Sequence, residues 1–266
     1  MKRKISVISG KNERSASVAQ YVKDRLESHG FEVLTKHSLN AELMIAIGGD
    51  GSFLKAIHSN HFPLIPIVGI NTGHLGFFQE ILPNQINSFV EDYANGRYFI
   101  QQIHPVEALV CTKTSCIELL AINEFAVKSS RSRTVHLQLS VNGNPIEKFS
   151  GDGVIISTPT GSTAYNYSSG GSIIDPSLKT LQITPLSPIN TNAYRSFTSS
   201  IVLPQDAVIR IVPEYRFENS VLIITDGTEH KYTQVTDISF RTSTMQLNLL
   251  RLNNYEFWKK VKEKFL

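Results

Sequence analysis

Cysteine is nearly absent from this chain: 266 residues hold two, Cys111 and Cys116, five apart in "VCTKTSCIEL". No second Cys or His pair stands beside them, which excludes a zinc-type ligand set, so they read as ordinary strand or turn residues in a reducing cytoplasm. No run approaches the roughly 18 apolar residues of a membrane helix. The opening "MKRK" leads into "ISVISG", where Ser and Gly interrupt what would have to be the apolar core of a signal peptide. A charge excess of one sign is missing too. The formal net charge is +3, with Lys and Arg dispersed and no basic–aromatic stripe, so nothing argues for nucleic acid while an anionic small ligand is allowed. The most basic stretch, "FWKKVKEKFL", reads as a helix with a solvated charged face and Trp258, Val261 and Phe265 at helical spacing. A GxxxxGK[ST] phosphate loop is absent as well, which removes the commonest route to nucleotide hydrolysis.

What is present begins as an alternation. "KISVIS", "FEVL", "ELMIAI" and "PLIPIVGI" read as strands, the last two apolar enough to be buried on both faces. Helices are expected over "VAQYVKDRLESHG", over "SFLKAIHS" and over 84–95. This βαβ rhythm predicts a Rossmann-like, doubly wound α/β domain over residues 1–100. From about residue 100 the pattern turns to short β segments broken by Gly, Pro, Asn and Asp, with "SVNGNP" as a hairpin turn. A β-sandwich-like domain is expected over 101–251, with a C-terminal helix over 252–266 returning to the first domain. Asp-Gly recurs at 50–51, 152–153 and 226–227.

Four stretches carry chemistry. In "IAIGGDGSFLKA", Gly48, Gly49 and Gly51 suit a phosphate loop at a helix start, yet Asp50 would repel phosphate. Its carboxylate suits either a proton acceptor for a hydroxyl nucleophile or a magnesium ligand; the plain alternative is a helix cap. In "INTGHLGFF", Gly73 and His74 lie past a strand's C-terminal end, where open sheets bind ligands, and Phe77 and Phe78 either stack on a base or pack in the core. "AINEF" sets Asn123 and Glu124 in an apolar strand; a ribose diol giving both hydroxyl hydrogens to Glu124 would partner them, a solvated strand edge being the alternative. "GDGVIISTPTGSTAYNYSSGG" runs from Asp152 through a buried strand into a hydroxyl-rich, glycine-punctuated loop that can read a purine edge, with Ser162 or Thr163 capping a short turn.

"GGDG", "NTGHLGF", "NE" and "DGVIISTPTGSTAY", in that order, resemble the bacterial NAD kinases along most of the chain. The resemblance implies phosphorylation of the 2′-hydroxyl of the adenosine ribose of NAD by ATP or another phosphoryl donor, a divalent metal (magnesium), and a cytoplasmic homo-oligomer, a dimer or tetramer. It implies Asp50 as proton acceptor, metal ligand or both, with Gly51 and Phe77 beside it. Asn123 and Glu124 would hold the adenosine end. Thr160, Thr163, Ala164, Tyr165, Asn166 and Ser168 would line the adenine site, and Asp152, Ser187 and Ile189 would border the rest of the dinucleotide. The chain departs from common members at Gly170-Gly171-Ser172-Ile173, at Ser187-Pro188-Ile189 and at Ser150. Two other classes share features with it: lipid or sugar kinases carrying "GGDG", which leave residues 151–168 without a role, and a non-catalytic dinucleotide-binding regulator, which would not need Asp50.

Overall fold

The computed structural model describes all residues except Met1, Lys11, Ser132, residues 192–194, Phe217, Glu218 and Leu266. In chain order the first elements are β1 (Lys4–Ser9), α1 (Glu13–Ser28), β2 (Glu32–Leu34), β3 (Leu43–Gly48), α2 (Asp50–Ser59), β4 (Ile67–Asn71), β5 (Gln79–Ile81), α3 (Ile86–Ala94) and β6 (Tyr98–Ile103). Then follow β7 (Val106–Thr112), β8 (Cys116–Ala121), β9 (Glu124–Ser129), β10 (Val135–Val141), β11 (Asn144–Gly151), β12 (Gly153–Ser157), α4 (Tyr165–Ser168) and β13 (Thr180–Leu186). The last are β14 (Ile201–Pro204), β15 (Ile209–Pro213), β16 (Ser220–Thr225), β17 (Thr228–Thr233), β18 (Val235–Thr242), β19 (Leu247–Leu252) and α5 (Phe257–Phe265). They form two units, Met1–Ile103 with Gln246–Leu266, and His104–Met245.

The first unit is a sheet in the order β2-β1-β3-β4-β19-β6, with β5 pairing on β4. All pairings are parallel except that of β6 on β19. Period-2 alternation along β3 divides the core: Leu43, Ile45 and Ile47 pack with Val22 and Leu26 of α1 and with Ile86, Phe89 and Tyr93 of α3. Met44 and Ala46 point to the opposite face, and α2 buries Phe53, Ala56 and Ile57 outside that cluster, so the sheet is wound on both sides. Local signals set the helix limits. Asn12 Oδ1 accepts from Ser15 N at 2.7 Å to start α1, and Gly30, at φ 87°, stops it.

The second unit is an antiparallel sandwich of two six-stranded sheets, β11-β10-β15-β18-β7-β8 and β14-β13-β12-β9-β16-β17. Their inward residues make one core, including Phe125 and Phe240 with ring centroids 5.5 Å apart. Two sequence expectations need correction here. The apolar strand expected around "AINEF" is not continuous: the chain leaves the first sheet with β8 and enters the second with β9, breaking at Ile122–Asn123. Cys111 and Cys116 are also not free. The β7–β8 register sets them directly opposite each other across the turn, and they form a disulfide. Among the described residues no helix is long and apolar enough to cross a membrane.

The C-terminal helix is more than a solvated face. Lys260 Nζ is buried against Phe77 O (3.4 Å), Gln79 O (3.1 Å) and Glu80 Oε2 (3.3 Å), and Arg251 Nη1 reaches the same Glu80 oxygen at 3.1 Å. Trp258, expected on the apolar stripe, is 56% exposed instead. Glu80 thus neutralises two enclosed cations. Glu80→Ala should cost the first unit about 3–5 kcal/mol, read as a lowered denaturant midpoint, whereas an exposed pair such as Lys23–Glu27 should give a change under about 1 kcal/mol.

Candidate functional site

In the first unit the site is a contact between two loops. Gly48, at φ 153°, ends β3, and Gly49 takes the N-cap position of α2 with its carbonyl accepting from Ser52 N and Phe53 N. Asp50 is therefore the first helical residue, and its carboxylate turns away from its own helix. Oδ2 accepts from Phe77 N at 2.9 Å and Oδ1 from Phe78 N at 3.1 Å, so the side chain does not serve as the helix cap. Gly76 makes this possible, since a Cβ there would lie 2.2 Å from Asp50 Oδ1. The loop itself is shaped by Asn71, whose Oδ1 accepts from Gly73 N and whose Nδ2 donates to the carbonyl of His74. Gly73 and the His74 side chain face solvent, as does Gly51. Lys264 Nζ of α5 stands 3.8 Å from Asp50 Oδ2 and 4.9 Å over the Phe77 ring. Phe77 is packed between Phe257 and Phe265, and Phe78 stacks on Phe53, so neither ring is displayed for stacking on a base.

In the second unit the site is built on the outer face of the sheet containing β9. Asn123 and Glu124 are each 7% exposed, and both keep a buried acceptor without a protein partner, Asn123 Oδ1 and Glu124 Oε2. Buried polar atoms are normally satisfied, so two orphans side by side mark a place for hydroxyl or amide donors. Burial, and then the charge of Asp226, pushes the Glu124 carboxyl up to about 8, against a smaller opposing effect from the N–H of Tyr165. The residue expected to accept two hydroxyl hydrogens as an anion is thus mainly protonated at neutral pH, and offers a diol one donor as well as acceptors. The hydroxyl-rich loop lies against this pair. Thr158 N donates to Asn123 O and Thr158 Oγ1 to Ile122 O, while Gly161 sits so close that a Cβ would be 2.1 Å from Asn123 O. Thr160, Thr163, Ala164 and Tyr165 follow in this loop, with Tyr165 37% exposed.

Beyond Glu124 on the same outward face stands Lys128, about 14 Å further at roughly 3.4 Å per residue. It lines an open cavity of about 970 Å³ with Arg131, Arg133, His136 and Arg216, and with Asp152 and Ile189 at its rim. Cations dispersed along the sequence converge there. The arrangement sets buried, unpartnered acceptors and a basic recess on one sheet face, groups that can bind hydroxyls and anions respectively.

A family model described as the ATP-NAD kinase N-terminal domain matches residues 1–98, and one described as the ATP-NAD kinase C-terminal domain matches 122–252. The chain belongs to the ATP-NAD kinase family. It is 41% identical to an NAD kinase of Finegoldia magna, covering 98% of this chain and 97% of that one. It is 34% identical to an NAD kinase of Staphylococcus saprophyticus, over 85% of each. Its fold is that of the yeast NADH kinase complexed with NADH (TM-score 0.84, 19% identity, 98% and 87% covered). An Archaeoglobus fulgidus NAD kinase in complex with ATP is also similar (TM-score 0.79, 20% identity, 98% of both chains).

Within this family member some expected site residues have other employment. Asn166 is fully buried: Oδ1 accepts from Thr184 Oγ1 at 2.6 Å, and Nδ2 donates to Ser162 O and Ser172 O, so it braces the loop. Ser162 does not cap a turn; its Oγ donates to Ile174 O and accepts from Ile174 N. Ser168 Oγ returns to Tyr165 O at an exposed helix end. Asp152 and Ser187 are exposed, the latter at φ 43°. Sequence reasoning missed Lys260, Lys264 and the converging arginines, whose positions follow no local pattern.

The raised carboxyl gives a pH dependence of stability. Glu124 in the folded unit holds its proton up to about 8, against 4.5 for the free group. The stabilisation from the protonated form is therefore complete below about 4.5 and is lost as pH rises through about 8. Thermal melts at pH 5 and 9 should show the wild type losing stability at the higher pH, with Glu124→Gln losing distinctly less.

Proposed function

We propose that the chain transfers the terminal phosphoryl group of ATP to the 2′-hydroxyl of the adenosine ribose of NAD, giving NADP and ADP. The observation that carries this reading is the pair of orphaned acceptors on Asn123 and Glu124, which a ribose would satisfy, in a chain of the ATP-NAD kinase family. The 2′-oxygen forms a bond to the γ-phosphorus as the bond from that phosphorus to the bridging oxygen breaks, and ADP leaves with the bridging oxygen. The hydroxyl proton passes to Asp50. A loose transition state asks the base to orient the hydroxyl and take its proton late, work suited to a carboxylate fixed by two backbone amides. Thr160, Thr163, Ala164 and Tyr165 would frame the adenine. Lys128, Arg131 and Arg133 would meet the diphosphate, and Asp152, Ser187 and Ile189 the nicotinamide half.

Among the described residues no group of three or more His, Cys, Asp or Glu side chains converges to hold a metal. Magnesium in this reading arrives on the phosphates of ATP, with Asp50 as the chain's candidate ligand to it. The family resemblance also leads us to place the enzyme in the cytoplasm as a homo-oligomer.

Purified protein with NAD, ATP and magnesium should form NADP, detected by cycling with a NADP-dependent dehydrogenase, and a chelator should stop turnover while NAD still binds. Asp50→Asn should lower kcat by at least about 100-fold with NAD binding kept. No NADP from ATP, GTP or polyphosphate, with NAD bound, would instead mean a regulatory binder. Tyr165→Ala should chiefly raise KM for NAD; an unchanged KM would remove Tyr165 from the adenine site.

A further inference from the structure

The third Asp-Gly pair, Asp226-Gly227, has no part in the chemistry above. It forms the two-residue turn between β16 and β17, closed by Thr225 opposite Thr228, with φ 45° at Asp226 and 83° at Gly227. Such a turn accepts Asn-Gly as readily as Asp-Gly, so turn geometry alone does not call for a carboxylate. The side chain does something further. Asp226 Oδ2 accepts from Ile122 N at 2.7 Å, and Oδ1 accepts from Asn123 N at 2.8 Å and Glu124 N at 3.2 Å. The N–H of Asp226 itself donates to Glu124 O at 3.2 Å.

Three successive amides are thus gathered by one anion at the break where the chain passes from β8 to β9. Thr158 grips the same segment from its other side, through the carbonyls of Ile122 and Asn123. Between these two grips the backbone of 122–124 has no freedom to turn. The orphaned acceptors of Asn123 and Glu124 are therefore held in place before any ligand arrives.

We propose that Asp226 is a positioning residue for the sugar-binding pair, fixing Asn123 and Glu124 through their backbone amides so that they meet the diol of the adenosine ribose. The inference rests on the reading that this pair receives the ribose of NAD. Asp226 touches no substrate in it; the effect passes entirely through residues 122–124.

Two variants keep the turn and remove acceptors. Asp226→Asn replaces one oxygen by an amide nitrogen, which cannot accept from Ile122 N. Asp226→Gly removes both acceptor oxygens and with them all three hydrogen bonds, and both residues tolerate positive φ. KM for NAD should rise about tenfold in the first and more in the second, with KM for ATP within twofold of wild type. With NAD lacking the 3′-hydroxyl of the adenosine ribose (3′-deoxy-NAD), the penalty of each variant should be clearly smaller than with NAD, because one of the positioned contacts is already gone. Gly227→Ala strains the turn without touching the carboxylate; its melting temperature should fall while KM for NAD stays unchanged. Equal penalties for NAD and 3′-deoxy-NAD, or an unchanged KM for NAD in both Asp226 variants, would overturn the inference. A wild-type enzyme that handles NAD and 3′-deoxy-NAD with the same KM would instead overturn the ribose reading, and the inference with it.

Discussion

A carboxylate reaching across to consecutive backbone amides of another segment is the constraint on which each unit's site depends. In the first unit Asp50 accepts from Phe77 and Phe78, tying the start of α2 to the loop after β4. In the second, Asp226 accepts from Ile122, Asn123 and Glu124, tying a hairpin turn to the start of β9. Hydrogen bonds to a charged acceptor are each worth about 1.5–3 kcal/mol, more than neutral ones. They also fix direction, because the amides belong to rigid backbone. Loops that would otherwise be free to rearrange are fastened at the ends of interior strands, where the side chains of the candidate site emerge.

Such close contacts need room, and glycine supplies it. A Cβ at Gly76 would fall on the Asp50 carboxylate, and one at Gly161 would fall on the carbonyl of Asn123. Neither position has the positive φ usually given as the reason for glycine; both are required by approach. Asn166 completes the second fastening. Its amide links the 158–172 loop to Thr184 on β13, and Gln182 on the same strand face exchanges hydrogen bonds with Ser172. A loop rich in hydroxyls is thereby held over an apolar sheet face that includes Ala126 and Ile155.

Much of this was legible in the sequence where the signal is local. The apolar runs of β3 and β4, the Gly30 stop of α1 and the Asn142-Gly143 turn each follow from a few adjacent residues, whereas α1 starts at Glu13, ahead of the expected Val18, because Asn12 caps it. Strands without such a run are hard to read. β17, "TEHKYT", is an exposed edge, and β13 lies in a stretch whose polar Gln182 and Thr184 face a loop instead of water. The break at Ile122–Asn123 was hidden because apolar residues continue through it; only a chain passing between sheets lets two adjacent polar residues both be buried. Helical spacing alone places Lys260 on a solvated face, because it does not reveal Glu80, 180 residues away in sequence. The disulfide needed strand register, which five-residue spacing does not give.

The two acidic groups most tied to the proposed chemistry sit in opposite surroundings, and this difference fits the separate roles proposed for them. Glu124 is enclosed beside another carboxylate, so its neutral form is favoured and it can donate to a sugar while adding no charge near a polyanionic ligand. Asp50 is 28% exposed at its side chain, faces two amide donors, and has an ammonium 3.8 Å away, so a negative charge there is matched by its neighbours. A group that must take a proton needs that charge; a group that must hold a diol next to phosphates is better without it. The negative residue in the glycine loop, anomalous for a cradle that binds phosphate directly, is consistent once phosphate recognition is given to the basic recess bearing Lys128, Arg131 and Arg133. The glycine loop is then left to present a carboxylate to a hydroxyl.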